Sequence, residues 1–145
     1  MLRSGVDFRE RVAAAALLIA LSGCGAGGGG GSPPAPAGGL QPTLASIQAN
    51  IFTPTCAVSG CHTGSNPVQG LRLDDGFSYG NLVGVASPYG STIIRVVPGD
   101  PDNSFLIQKL EGTTAFGGRM PLVGCCLQQV TIDVVRQWIQ DGAKP

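Results

Sequence analysis

A run of fifteen residues from Gly25 to Gly39 divides this chain into a short leader and a longer remainder. The run holds eight glycines, three prolines, three alanines and one serine. Such a composition cannot bury enough apolar surface to offset the entropy lost when a backbone is ordered, so we expect a flexible tether over residues 24–39. The part that can fold is then residues 40–145, which is enough for one small domain.

The leader has the pattern of a secretory signal peptide over residues 1–23. Three arginines precede the apolar run from Val12 to Leu21, and small residues follow it. Ten apolar residues in a helix reach about 15 Å, half of a roughly 30 Å hydrocarbon core, so we do not expect a permanent membrane span.

The leader ends in Leu21-Ser22-Gly23-Cys24, which resembles the lipobox of bacterial lipoproteins. The resemblance implies that Cys24 becomes the lipid-bearing first residue of an exported protein. Glycine rather than aspartate after this cysteine implies the periplasmic side of the outer membrane rather than the inner membrane. The alternative is ordinary cleavage near the same point, which would leave Cys24 as a free thiol.

The charge of the chain excludes nucleic acid as a partner. Nine basic residues face nine acidic ones, and no basic run occurs. After removal of residues 1–23, six basic and seven acidic side chains remain, which gives a side-chain charge of −1. Binding to nucleic acid depends on clustered positive charge, and this chain lacks it.

Apolar spacing predicts three helices in the folding part, and therefore a mostly α domain with long loops. The first begins after Thr43, the second begins at Asp100 and ends at Gly112, and the third carries Leu127, Val130, Val134 and Trp138 on one face. We also expect a helical turn within residues 76–85 and a short extended run over residues 91–97. Glycine and proline interrupt the middle of the chain so often that longer elements are not expected there.

The motif CAVSGCH indicates a binding site for a cofactor or a metal. Its two cysteines, Cys56 and Cys61, are separated by four residues, and His62 follows directly. Two thiols on one loop can add to the two vinyl groups of a haem, and the next imidazole can then bind its iron. The usual spacing has two residues between the cysteines, so a loop of four must bulge. Two alternatives stay open: a Cys56–Cys61 disulfide, and a zinc site that also uses Cys125 or Cys126.

His62 is the only histidine in the chain, which excludes several kinds of metal site. A blue-copper site, a two-histidine iron site and a three-histidine zinc site all need more imidazoles. A haem with two histidine ligands from one chain is excluded for the same reason.

Met120 is the candidate for a second iron ligand. Met1 leaves with the signal peptide, so Met120 is the only methionine of the mature chain. It lies in the sequence GGRMPL, where a glycine-rich loop and Pro121 oppose helix formation. A thioether presented by such a loop can bind haem iron and raise its reduction potential.

From Ile47 to its end, the chain resembles the single-haem cytochrome c family, in the branch with four residues between the haem cysteines. The matching stretches are CAVSGCH, GLRLDD, VVPGDPDNSFLIQKL, GGRMP and VVRQWIQDGA. The resemblance implies a small cytochrome c-like helical domain wrapped around one covalent haem c. It also implies that Cys56 and Cys61 attach the haem and that His62 and Met120 bind its iron.

The function that this resemblance implies is one-electron transfer to redox partner proteins, without enzymatic activity and without a small-molecule substrate. Two alternatives stay open: a haem protein with a labile Met120 that binds gases or acts as a peroxidase, and a haem-free interaction lipoprotein held by disulfides. Arg95 and Arg119 are candidates to pair with the haem propionates. Cys125 and Cys126 could form a disulfide with each other, stay reduced or link to another chain.

Overall fold

The structure, a computed structural model, describes residues 39–145. The predicted signal peptide, Cys24 and the tether up to residue 38 lie outside the described residues. Among residues 39–145, no helix is both long and apolar enough to cross a membrane.

The first helical segment leads directly into the cysteine motif. Helix α1 (Leu44–Ile47) begins where the Thr43 side chain accepts a hydrogen bond from the Ser46 amide, as the sequence predicts. It continues as a π-helix over Gln48–Cys56, which contains Pro54. Wide π turns of this kind occur mostly at functional sites, and this one ends on Cys56.

The middle of the chain contains only short elements. A 3₁₀ turn (Val68–Gly70) is followed by α2 (Ser78–Leu82) and by a two-stranded antiparallel sheet of β1 (Ala86–Ser87) and β2 (Gly90–Ile94). The helical turn predicted within residues 76–85 is therefore present. The extended run predicted over residues 91–97 is present only in part, because β2 ends at Ile94.

Two further helices complete the fold. Helix α3 (Phe105–Glu111) ends at Gly112, whose φ of +77° is the left-handed conformation that glycine adopts without strain. Helix α4 (Gln129–Gln140) is the longest α-helix of the described residues, and it packs against α3.

One apolar core joins these elements. Trp138 on α4 lies in the same buried cluster as Ile47 and Phe52 of the first helical segment. Its indole Nε1 donates to the carbonyl oxygen of Lys144 over 2.8 Å, so the one polar atom of its ring has a partner. The core therefore holds the beginning and the end of the described chain together.

The prediction of a mostly α, cytochrome c-like helical domain is wrong. Only about 37% of the described residues are helical, and a small antiparallel sheet lies between α2 and α3. The physical reason lies in the glycines and prolines of the middle of the chain. They end each element after a few residues, since glycine favours left-handed turns and proline cannot donate a backbone hydrogen bond.

Two helix predictions also need correction in detail. The second helix does not begin at Asp100, because that carboxylate accepts from the Asn103 amide over 3.2 Å and stabilises a turn, and α3 begins after Ser104. Val130 is 47% exposed, so it does not share the buried face of α4. That face consists of Ile132, Val134, Val135, Trp138 and Ile139.

Candidate functional site

The cysteine motif forms a closed loop. The His62 amide donates to the Cys56 carbonyl oxygen over 3.1 Å, which joins the two ends of the motif. Inside it, the Cys61 amide donates to the Val58 carbonyl oxygen over 2.9 Å, and Gly60 has a φ of +79° that a side chain would strain. The extra residues of the loop therefore bulge outward, and Val58, Ser59 and Gly60 are exposed.

The imidazole of His62 is held by a backbone carbonyl. Its Nδ1 lies 3.2 Å from the carbonyl oxygen of Leu71, and the backbone carbonyl of His62 accepts from the Leu73 amide over 2.8 Å. A protonated Nδ1 that donates to Leu71 leaves the lone pair on Nε2, the nitrogen available to a metal. Burial lowers the pKa of His62, which favours the neutral form that binds metals.

Both cysteines of the motif are free thiols in the structure, and both are half-buried. Burial, with a smaller contribution from Cys61, raises the pKa of Cys56 to about 11, so this thiol is protonated at neutral pH. The structure thus does not contain the alternative Cys56–Cys61 disulfide.

A cavity of about 450 Å³ collects the predicted site residues. Cys56, Cys61, His62 and Met120 all line it, although Met120 lies far from the others in sequence. Its volume falls within the range of roughly 300–1,000 Å³ that is typical of sites for small ligands and cofactors. Most of the remaining wall is apolar and comes from Leu71, Leu73, Leu82, Phe105, Leu106 and Leu110.

Lys109, which is not among the residues predicted from the sequence, holds the loop that carries Met120. Its Nζ donates to the carbonyl oxygens of Phe116 and Gly118 over 3.0 and 2.5 Å. Its own carbonyl oxygen accepts from the Met120 amide over 2.8 Å. A lysine in the last turn of a helix is common as a surface charge, so the local sequence does not indicate that Lys109 fixes this loop.

An aromatic cluster lies beside the same loop. The ring of Tyr89 stacks on that of Phe116 at a centroid distance of 5.4 Å and meets that of Phe105 at 5.8 Å. Tyr89 and Phe105 also line the cavity. The loop before Met120 is therefore fixed by packing at Phe116 and by hydrogen bonds from Lys109.

Of the two arginines that were candidates for propionate binding, only Arg95 lines the cavity. Arg95 lines the cavity and is only 8% exposed, and its guanidinium donates to the carbonyl oxygens of Asn81 and Gln69 at 2.9 Å each. No ion pair to Arg95 occurs among residues 39–145. Arg119 does not line the cavity; its Nε donates to the Leu110 carbonyl oxygen over 2.7 Å.

A carboxylate supports the chain that follows the motif. Asp74 accepts hydrogen bonds from the Thr63 hydroxyl, from Arg72 Nε at 2.5 Å and from the Gly64 amide at 3.0 Å. These bonds, that from Thr63 first, lower the pKa of Asp74 to about 2. The segment immediately after His62 is therefore tied to the segment that provides the Leu71 carbonyl.

Cys125 and Cys126 form a disulfide with each other, one of the three states that the sequence left open. The alternative zinc site is not assembled, because residues 39–145 contain no group of three or more cysteine, histidine or acidic side chains that could hold a metal ion.

The cavity thus presents two thiols, one imidazole nitrogen, one thioether and one buried guanidinium to a common apolar space. Thiols, imidazole and thioether are ligands that soft or borderline metals prefer, whereas the guanidinium can only donate hydrogen bonds. Comparisons of the chain with protein-family models, with curated proteins and with solved structures found no match.

Proposed function

We propose that this chain is a c-type haem protein that carries single electrons, exported and held at the outer membrane by a lipid on Cys24. The observation that carries the proposal is the convergence of Cys56, Cys61, His62 and Met120 on one cavity. The proposal rests on this site and on the leader sequence, and it does not require a mostly α fold.

The residues fit a covalently held haem in their chemistry. Two unpaired thiols on one closed loop suit attachment to two neighbouring vinyl groups, and the bulge at residues 57–60 accommodates the four-residue spacing. The imidazole directly after the second thiol has its Nδ1 engaged by Leu71, which leaves Nε2 for iron. A haem would supply the redox centre, and its apolar ring would cover the leucine side chains of the cavity wall.

Arg95 supports the proposal through its charge. A buried guanidinium without a carboxylate partner among the described residues is costly, because desolvation of a charge needs compensation. The two propionates of a haem would provide that compensation in the same cavity. We therefore assign propionate binding to Arg95, and we do not extend it to Arg119.

Electron transfer is favoured over gas binding by the way Met120 is held. If His62 and Met120 both held the iron of a haem, no coordination position would be left for a gas molecule or a peroxide. The Lys109 hydrogen bonds to the loop before Met120 oppose displacement of this ligand. Carbon monoxide should therefore bind poorly to the reduced protein at neutral pH, whereas a gas-binding protein or a peroxidase would bind it readily.

The part of the chain around the cavity is accessible to a partner protein. Val58, Val68 and Leu122 line the cavity and are still 38%, 45% and 69% exposed. A haem held in this cavity would lie close to these exposed side chains, which suits a carrier that exchanges electrons with redox partner proteins.

The test is export of the chain together with haem-attachment machinery, followed by a denaturing gel stained for haem peroxidase activity. Only covalently bound haem stays with the polypeptide in this gel. We expect staining of the wild-type chain, loss of staining in Cys56→Ala/Cys61→Ala, and full staining in the control Cys125→Ala/Cys126→Ala. An unstained wild-type chain with Cys56 and Cys61 joined in a disulfide would instead support a haem-free interaction lipoprotein.

A further inference from the structure

The Cys125–Cys126 disulfide lies in the segment between Met120 and helix α4, outside the residues used so far. Both cysteines are exposed to solvent. This exposure raises the question of what the disulfide contributes.

Cross-linking of the fold does not explain it. A disulfide stabilises a protein mainly by restricting the unfolded chain, and the restriction grows with the number of residues in the closed loop. Cys125 and Cys126 are neighbours in sequence, so their bond joins no distant segments and removes very little freedom. The fold of residues 39–145 does not depend on this bond.

The surroundings of the pair are open. None of residues 121–127 takes part in a hydrogen bond with any part of the described chain. Residues 122–126 are also exposed, so their backbone amides and carbonyls can pair with another polypeptide. Leu122 and Val123 are 69% and 87% exposed, so two apolar side chains lie on the surface two and three residues before Cys125.

We propose that the Cys125–Cys126 disulfide is a dithiol–disulfide exchange site whose substrate is a protein that presents two thiols on one loop. The proposal is independent of the haem and of the proposed electron transfer. Exposed disulfides are the ones that exchange, and the free backbone with its apolar residues gives a partner a place to bind.

The exchange has two balanced steps. A thiolate of the partner attacks one sulfur of the pair, the Cys125–Cys126 bond breaks, and a mixed disulfide forms while the released cysteine takes up a proton. The second thiol of the partner then attacks the partner's sulfur in the mixed disulfide, and the bond from that sulfur to Cys125 or Cys126 breaks. Two electrons and two protons have passed to Cys125 and Cys126, and the partner leaves as a disulfide.

The adjacency of the two cysteines selects a dithiol over a single thiol. After attack by a single thiol, the released cysteine stays beside the mixed disulfide and can expel the thiol again. A partner with two thiols breaks the mixed disulfide with its second thiol and so completes the reduction of Cys125 and Cys126. Residues 120–132 contain no charged side chain to activate a thiol, so the attacking thiolate comes from the partner.

The test uses the mature full-length chain and a thioredoxin-type protein whose resolving cysteine is replaced by serine. We expect a covalent adduct that strong reductant releases, mapped by mass spectrometry to the tryptic peptide of residues 120–136. With the unmodified thioredoxin-type protein, both cysteines should become alkylatable together. Glutathione at the same thiol concentration should reduce the pair more slowly by at least about tenfold.

Two variants test this site. Cys125→Ala/Cys126→Ala should give no adduct, and Gln128→Ala, at an exposed position close to the pair, should give as much adduct as the wild type. The proposal is overturned if no adduct forms, if the adduct maps to Cys56 or Cys61, if glutathione reduces the pair as fast, or if the pair is alkylated without reductant. Failure of haem attachment would leave all of these readouts intact.

Discussion

The carbonyl oxygen of Lys109 accepts a hydrogen bond from the backbone amide of Met120 over 2.8 Å. The ammonium group of the same lysine donates to the carbonyl oxygens of Phe116 and Gly118. One residue on α3 therefore holds the loop on the N-terminal side of Met120 at three points.

Lys109→Met should loosen this loop and expose the iron. The variant removes two hydrogen bonds from a charged donor that is half-buried, and we expect a loss of about 1–2 kcal/mol in the stability of the closed loop. Carbon monoxide should then bind to the reduced protein about tenfold faster. Stopped-flow measurements check this. Lys109→Arg should bind carbon monoxide almost as slowly as the wild type, because arginine keeps a charged donor. Lys144→Met, at an exposed position, is the control and should not change the rate. Equal rates for Lys109→Met and wild type would contradict the function of Lys109.

Met120→Ala should remove the sulfur ligand without removing the haem. The ferric near-red charge-transfer band reports sulfur bound to iron, so we expect it to disappear while haem staining of the denatured chain persists. Leu122→Ala, which changes another residue of the same cavity wall, should keep the band. A band that survives in Met120→Ala would show that the distal ligand is another group.

The four candidate site residues could be selected from the sequence, whereas the fold class could not. CAVSGCH and the single mature methionine direct attention to four residues, and their chemistry is a property of the side chains themselves. The structure brings all four to one cavity. Thr43 and Gly112 mark helix ends correctly because capping depends on a few neighbouring residues.

The fold class depends on tertiary contacts, which the spacing of apolar residues does not predict. Val130 fits the apolar spacing of α4 and is nevertheless exposed, because the core selects the neighbouring face around Ile132 and Val135. The hydrogen bond from His62 to Leu71 and those from Lys109 to its loop use backbone carbonyls, which carry no sequence signal. Such contacts become visible only when the chain is folded.

Arg95→Gln should distinguish a propionate-binding arginine from a purely structural one. The loss of its hydrogen bonds to Asn81 and Gln69 should lower the free energy of unfolding by about 2 kcal/mol in the haem-free chain. The loss should be larger in the haem-loaded chain, because a charge pair is lost as well. Arg119→Gln should cost the same in both forms, and chemical denaturation of both forms measures the difference. Equal losses for Arg95→Gln would exclude propionate binding.

Asp74 should make stability depend on pH in the acid range. Its pKa is lowered to about 2 in the folded chain from an ordinary 3.8, so the folded state binds fewer protons than the unfolded state between these values. Its stabilising contribution is therefore complete above pH 3.8 and is lost as the pH falls towards 2. Asp74→Asn should unfold more easily than wild type above this window and equally at its lower end.

Asp75→Asn is the matched control for this experiment, since the Asp75 carboxylate accepts only from the amide of Gly76 among the described residues. Urea unfolding midpoints measured across the acid range provide the comparison. A constant difference between Asp74→Asn and wild type at every pH would show that the carboxylate of Asp74 does not act through its charge.

The intact mass of the exported mature protein tests the central claim most directly. We expect a mass that exceeds the mass of the polypeptide by one haem and by the lipid on Cys24, with the haem mass on the peptide that contains Cys56 and Cys61. A chain that carries no added haem and is colourless, although the same cells attach haem to another protein, would contradict it.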